Sequence, residues 1–390
     1  MTGSDRPDRR PPGRVGLLGT GAIGRSVASM ILRHRPDLRL SAIHTRRPFD
    51  SIPDCPAPEL LTDSLDAVIE RSDVVVECSG DVALATAAAE KAVAAGLPLV
   101  SLNTEFHVTT GSHFAASGLV TEAEGDQPGC MAALREEALA MGFAPLVYGN
   151  LKGFLNLNPD PEEMAYWAKR QGISVLNTTG ATDGTKVQME QALIANGLGG
   201  GILRQGLLGP ATHDLQAGAA QLAALAEEAG EPIADYILSN RQVPGVFLVA
   251  RHDEDQATML RYYKLGDGPY YVLVKPYHLC SLEVAKTLRR VLDGGGPLID
   301  NSPRPRIGVV AIAKRRLEPG MRIEHGHGGF EVRGEAARLE DVPGHVPIGA
   351  LHDAVVRRRI EPGEILRFED VDLPDNPVTR ISRALFAPAS

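Results

Sequence analysis

The chain has 390 residues, 43% hydrophobic and 23% charged, and a formal net charge of -9. This length exceeds one ordinary core and predicts two or three domains, while the negative balance argues against a nucleic-acid surface. No apolar run approaches the roughly 20 residues of a membrane span, and Cys55, Cys78, Cys130 and Cys280 lack metal-ligand spacing, so no metal centre is expected and a cytoplasmic home is.

Residues 1–13, rich in Arg, Pro and Asp, carry no secretory apolar region and read as a disordered lead. The apolar run Val15–Leu18 then leads into Gly19-x-Gly21-x-x-Gly24, after which Ile23, Val27, Met30 and Ile31 fall on one helical face. Strand before and helix after make this a dinucleotide fingerprint: the first glycine permits the turn, the second admits pyrophosphate, and the third lets helix pack on strand. Gly19, Gly21, Ala22, Ile23 and Gly24 are therefore the first cofactor-binding candidates. Alternation continues through a strand at 38–44, a helix at 65–71, a buried strand at 73–78, a helix at 82–95 and a strand at 99–102. The pattern predicts a doubly wound parallel sheet over residues 14–125.

From 126 to 303 the spacing predicts an α+β substrate and oligomerisation domain. Helices are expected at 130–141, 161–171, 184–196, 215–230 and 282–292. A strand is expected at 173–176, and 246–250, 259–263 and 270–274 read as an antiparallel meander. Residues 306–375 form a small β module containing an internal echo, Leu317-Glu-Pro-Gly against Ile360-Glu-Pro-Gly, each copy preceded by basic residues. Pro-Gly turns between apolar residues signal hairpins. Residues 376–390 read as a tail.

Several stretches carry a resemblance: Gly19–Gly24, Ser101-Leu-Asn-Thr-Glu105, Gly125-Asp-Gln-Pro-Gly129, Asn150-Leu-Lys-Gly-Phe154, Thr182-Asp-Gly-Thr-Lys186 and Pro276-Tyr-His-Leu279. On these the chain resembles homoserine dehydrogenase-like oxidoreductases with a C-terminal SAF domain, a β-clip module. The resemblance implies an N-terminal Rossmann domain, hydride transfer with a small polar hydroxy or oxo acid, and a homodimer or homotetramer. It also implies a SAF module in place of a regulatory ACT domain. The full acidic signature of true homoserine dehydrogenases around the catalytic lysine is not matched, which puts homoserine itself in question and opens the small polar acid to include a sugar acid or polyol derivative.

Individual residues sharpen this. No Asp or Glu lies between Leu40 and Pro48, where Arg46 and Arg47 stand instead; this points to NADP, with NAD possible, unless the turn is simply a solvated basic one. Ser79, Gly80 and Asn103 close parallel strands and border the expected ligand crevice; the family resemblance makes them cofactor contacts. Lys186 in a first helical turn meets the positive end of the helix dipole, which lowers its pKa and suits a proton shuttle. Glu190 stands one turn on. Asp183 and His278 complete the catalytic set, with a helix cap and a structural histidine as their alternatives. Lys152 and Lys275 are further lysine candidates, and Glu105 and Asp126 weaker acidic ones. Cys130, at the start of a predicted helix, supports a second reading as a semialdehyde dehydrogenase acting through a thioester. A third reading is a non-catalytic dinucleotide sensor.

Overall fold

The computed structural model describes residues 11–241 and 243–387; most of the expected disordered lead, residues 1–10, lies outside them. β1 (Gly13–Leu18), α1 (Ala22–His34), β2 (Leu38–His44), β3 (Leu61–Thr62), α2 (Leu65–Arg71), β4 (Val74–Glu77), α3 (Val82–Ala94) and β5 (Leu99–Ser101) follow in turn. After β5 come α4 (Thr104–Phe106), a π turn at His107–Gly111, α5 (Ser112–Ala115) and β6 (Val120–Glu122). The six strands form one parallel sheet in the order β3-β2-β1-β4-β5-β6. Val74, Val75 and Val76 are fully buried, as expected of a strand covered on both faces. This is the Rossmann architecture, and ligands bind such sheets outside the carboxyl ends of the strands.

Then come α6 (Gln127–Ala140), β7 (Ala144–Lys152), α7 (Pro161–Gln171), α8 (Val175–Thr182), α9 (Thr185–Leu198), α10 (Leu215–Ala229), β8 (Ile233–Leu238), β9 (Gly245–Arg251), α11 (Ala257–Tyr262), β10 (Tyr271–Lys275) and α12 (Cys280–Leu292). The second sheet runs β10-β9-β7-β8. Two expectations fail here. The apolar run at 173–176 is the start of α8, because Gly172 closes α7 in the left-handed region and the Ser174 side chain accepts the Asn177 N–H. The run at 259–263 is the turn of helix α11, not a meander strand, so β9 and β10 pair directly. α12 returns to the first sheet, burying Val284, Leu288 and Val291 in the same core as Val15 and Val27.

The last unit contains β11 (Ile307–Ala313), β12 (Arg322–His325), β13 (Val332–Arg338), β14 (His352–Val356) and β15 (Val371–Asp372), followed by α13 (Pro377–Phe386). The echo is a structural pair. Leu317 and Ile360 exchange backbone hydrogen bonds of 2.9 and 3.0 Å. Arg316 bonds Glu361 and Arg359 bonds Glu318, each at 3.0 Å, so each copy's arginine meets the other copy's glutamate. The expected tail is an ordered helix: Ile381 of α13 is buried in the core beneath α3.

Candidate active site and dinucleotide groove

The carboxyl end of β1 supplies a turn that only glycine suits. Gly19 has φ +108°, and a Cβ at Gly24 would lie 2.0 Å from the Gly19 carbonyl oxygen. Around Gly21 nothing lies within 4 Å of the corresponding position. Gly21 caps α1 without a side-chain hydrogen bond, and the first amide to bond back is Arg25 N to Gly21 O. The amides of Ala22, Ile23 and Gly24 thus lack helical partners, which is the arrangement that binds a pyrophosphate.

A 230 Å³ cavity adjoins this turn, lined by Gly19, Gly21, Thr45, Arg46, Arg47 and Ser79. The structure therefore gathers the fingerprint, the basic turn after β2 and the loop after β4 around one groove. Glu77, fully buried at the end of β4, accepts hydrogen bonds from Ser79 N (2.7 Å), Ser79 Oγ (2.5 Å) and Ser101 Oγ (3.0 Å), fixing that loop. Asn103 caps α4 through Oδ1, while its buried Nδ2 has no protein partner. An orphan donor at the end of β5, an open face at Gly21 and free amides at α1 fit a nicotinamide dinucleotide.

Beside the crevice lies a cluster drawn from α6, β7, α9 and the turn before α12. Asp126 precedes α6, but its side chain makes no cap bond; it lies 3.5 Å from Lys186 Nζ. Glu190 lies 3.7 Å from the same ammonium and accepts from Lys152 Nζ at 2.8 Å and Asn150 Nδ2 at 2.7 Å. The floor is buried, with side-chain exposures of 6% for Asp126 and 0% for Glu190, whereas Lys186 keeps 38%. Asp126 chiefly, and Glu190 after it, raise the Lys186 pKa against the opposing effect of burial. The lowering expected from the helix dipole is thus outweighed by two carboxylates. Gln127 sits 3.4 Å from His278 Nε2; with its amide nitrogen turned to donate to Asp126 (2.7 Å) and Glu190 (3.1 Å), its oxygen faces the imidazole. Burial lowers the His278 pKa, which keeps the ring neutral.

Other candidates are placed elsewhere. Asp183 is buried with both oxygens committed, Oδ1 to the Thr185 N–H at 2.9 Å and Oδ2 to Lys314 at 2.5 Å; it anchors the start of α9 rather than facing substrate. Lys275 is held by Glu124 (2.8 Å) and Glu283 (2.6 Å) as a structural clamp. Cys130 is fully buried, and its thiol is pushed up to about 12, so the helix-start activation expected for it is overridden by desolvation. This removes the thioester reading. Asp126, His278 and Cys280 bring ligand atoms within 4.8 Å of one another, but Lys186 already faces that carboxylate.

The basic residues that precede the two copies of the echo are spoken for. Arg315 pairs with Glu331, Arg357 with Asp372 and Arg358 with Asp370. Lys314 reaches out of the module to α9. Sequence reasoning missed Gln127, the Lys314–Asp183 bond and the His327–Glu105 pair at 2.9 Å; Gln127, Asp183 and Glu105 lay within recognised motifs, whereas their partners Lys314 and His327 did not.

Residues 19–115 match the family model described as the NAD binding domain of homoserine dehydrogenase, and residues 125–284 match that of the catalytic domain of oxidoreductase DRL. Among curated proteins none matches the chain. Similar solved structures include a homoserine dehydrogenase from Thiobacillus denitrificans (17% identity, TM-score 0.48, covering 92% of this chain and 98% of that one). A myo-inositol dehydrogenase from Corynebacterium glutamicum is 13% identical (TM-score 0.41, 73% and 90%). The UDP-N-acetylglucosamine 3-dehydrogenase GnnA from Acidithiobacillus ferrooxidans is 15% identical (TM-score 0.41, 75% and 92%). Among the described residues no helix is long and apolar enough to cross a membrane. A dinucleotide-binding domain of the homoserine dehydrogenase type and an oxidoreductase catalytic domain are thus each matched over their own stretch, and together they make the chain an NAD(P)-dependent oxidoreductase.

Proposed function

We propose that the enzyme transfers hydride between NADP(H) and the carbinol or carbonyl carbon of a small polar hydroxy or oxo acid, with Lys186 moving the proton. The position of Lys186 carries this reading: an ammonium at the mouth of the crevice, over a buried floor of Asp126 and Glu190. The two carboxylates keep Lys186 an ammonium, the form that gives a proton to a carbonyl oxygen when hydride is delivered and regains it in the reverse step. A bound reduced nicotinamide supplies the hydride. Lys152 and Lys186 together suit a substrate carboxylate. Neutral His278 orients a substrate hydroxyl, and Asp183 positions α9. Arg46 and Arg47, both exposed at the groove, favour NADP over NAD. The β module is read as SAF-like, on the strength of its paired hairpins. Exposed Phe154, Tyr262 and Tyr263 fit burial in a homodimer or homotetramer.

The test is turnover of NADPH against a panel of oxo acids, including sugar acids. Lys186→Met is expected to reduce kcat by about 10²–10⁴ while leaving NADPH affinity intact. Retained turnover would transfer the proton role to Lys152.

A further inference from the structure

We infer that the C-terminal β module completes the adenosine half of the dinucleotide site, with His325 and His352 as its outer wall. This rests on the NADP(H) reading above and extends it to residues beyond 284, past both family matches.

A second cavity of 290 Å³ begins at Arg46, which also lines the first, and continues over Gly80 and Asp81 to His325, Leu351 and His352. Ser79 of one cavity and Gly80 of the other are consecutive, so the two adjoin across the Arg46–Asp81 pair and are taken together as one groove. Neither cavity alone clears the lower end of ligand sites, about 300 Å³, by any margin, but the joined groove does. Its direction follows from its lining. The first part touches the α1 amides and the turn after β2, where pyrophosphate and the ribose 2′ position are read. None of Lys186, Asp126, Glu190 and His278 lines the second part, whose lining beyond Arg46 and Asp81 runs on to Glu105, Asn177 and His327.

The chemistry there suits a flat heteroaromatic base. Arg46 is fixed by Asp81 at 2.5 Å, presenting a guanidinium on which a base can stack. Val82 and Ala83 add apolar surface. Opposite them, His325 and His352 are direct cross-strand partners on β12 and β14, with ring centroids 4.9 Å apart. Imidazoles offer both a π face and a ring-nitrogen donor or acceptor for the edge of adenine.

Isothermal titration of the full chain with NADP⁺ and with adenosine 2′,5′-bisphosphate, which lacks the nicotinamide half, tests this. The His325→Ala/His352→Ala variant is expected to weaken both ligands about tenfold, equivalent to roughly 1.4 kcal/mol. The His352 side chain is 59% exposed, and a thermal melt of the variant verifies folding. Ala83→Phe, on the exposed side of α3, fills the second cavity from the opposite wall and is expected to weaken both ligands as well. Unchanged affinities in both folded variants would overturn the assignment alone. Failure of the wild-type chain to bind either ligand would overturn the NADP(H) reading together with it.

Discussion

At the scale of single residues, what distinguishes the functional side chains is which of their polar atoms are left uncommitted. Arg47 is exposed, and among the described residues no ion pair holds its guanidinium; Arg46 is exposed but tethered to Asp81. If both read a 2′-phosphate, Arg46→Ala/Arg47→Ala will cost about 1.5–3 kcal/mol of NADPH affinity, roughly ten- to hundredfold, and leave NADH nearly unchanged. Comparable losses for both cofactors, measured by fluorescence titration, would show that the turn serves the shared part of the dinucleotide instead. Lys186 is the mirror case: an ammonium left partly open above paired acids. Asp183 and Cys130 had equally suggestive positions in the sequence, yet one is consumed by Lys314 and the other is desolvated. Position along a helix is local information; burial and distant partners are not.

At the scale of elements, α9 carries the proposed chemistry and is pinned from outside its own domain. Lys314 binds Asp183 and the Gly329 carbonyl, Thr185 Oγ1 accepts the Gly334 N–H at 2.9 Å, and Gln188 Oε1 accepts the Ala336 N–H at 2.8 Å. With side-chain exposures of 4% and 0%, the Lys314–Asp183 pair is fully internal. Lys314→Met strands a buried carboxylate and is expected to cost about 3–5 kcal/mol, whereas Lys314→Met/Asp183→Asn should recover much of that; chemical denaturation measures both. The His327–Glu105 pair joins the same module to the first sheet. Burial opposes its imidazolium, but Glu105 prevails and raises its pKa. Its contribution is therefore complete below the ordinary histidine value of about 6.5 and is lost as pH climbs through the higher folded-state value. The melting-temperature gap between wild type and His327→Asn should accordingly narrow as pH rises above the ordinary histidine value of about 6.5; a gap that widened would contradict this.

The same scale shows what the sequence made legible. β2, α2 and α7 were readable to the residue, because periodicity and caps such as Asp160 before Pro161 are local signals. β7 and β8 went unread. β7 carries Gly149 at a point where the Phe247 ring would lie 2.1 Å from a Cβ, and a strand containing Gly and Asn has no alternation to recognise. Lys186 was legible as a helical lysine, but its partner Asp126 lies on another element and follows only from the fold.

At the scale of the whole molecule, one core crosses the boundary that composition suggests near residue 303. Met189, Leu193 and Ile194 of α9 pack in the same cluster as Val309 and Ala311 of β11 and Ala336 of β13, and Asn196 bonds both Asn301 and the Ile307 backbone. Removing everything after Ser302 would strip that face of α9 rather than release a separate domain, so the truncated chain is expected to misfold and to bind no dinucleotide. A gentler test uses the two-fold hairpin pair. Ile360 is fully buried against Leu317, and Ile360→Ala is expected to cost about 2–5 kcal/mol through lost burial and the cavity left behind. Because the module and α9 share their core, that loss should lower the melting of the catalytic region as well as of the module, within one calorimetric transition. Two resolved transitions, with only one displaced by the substitution, would instead show a module that folds independently and merely rests against the active site.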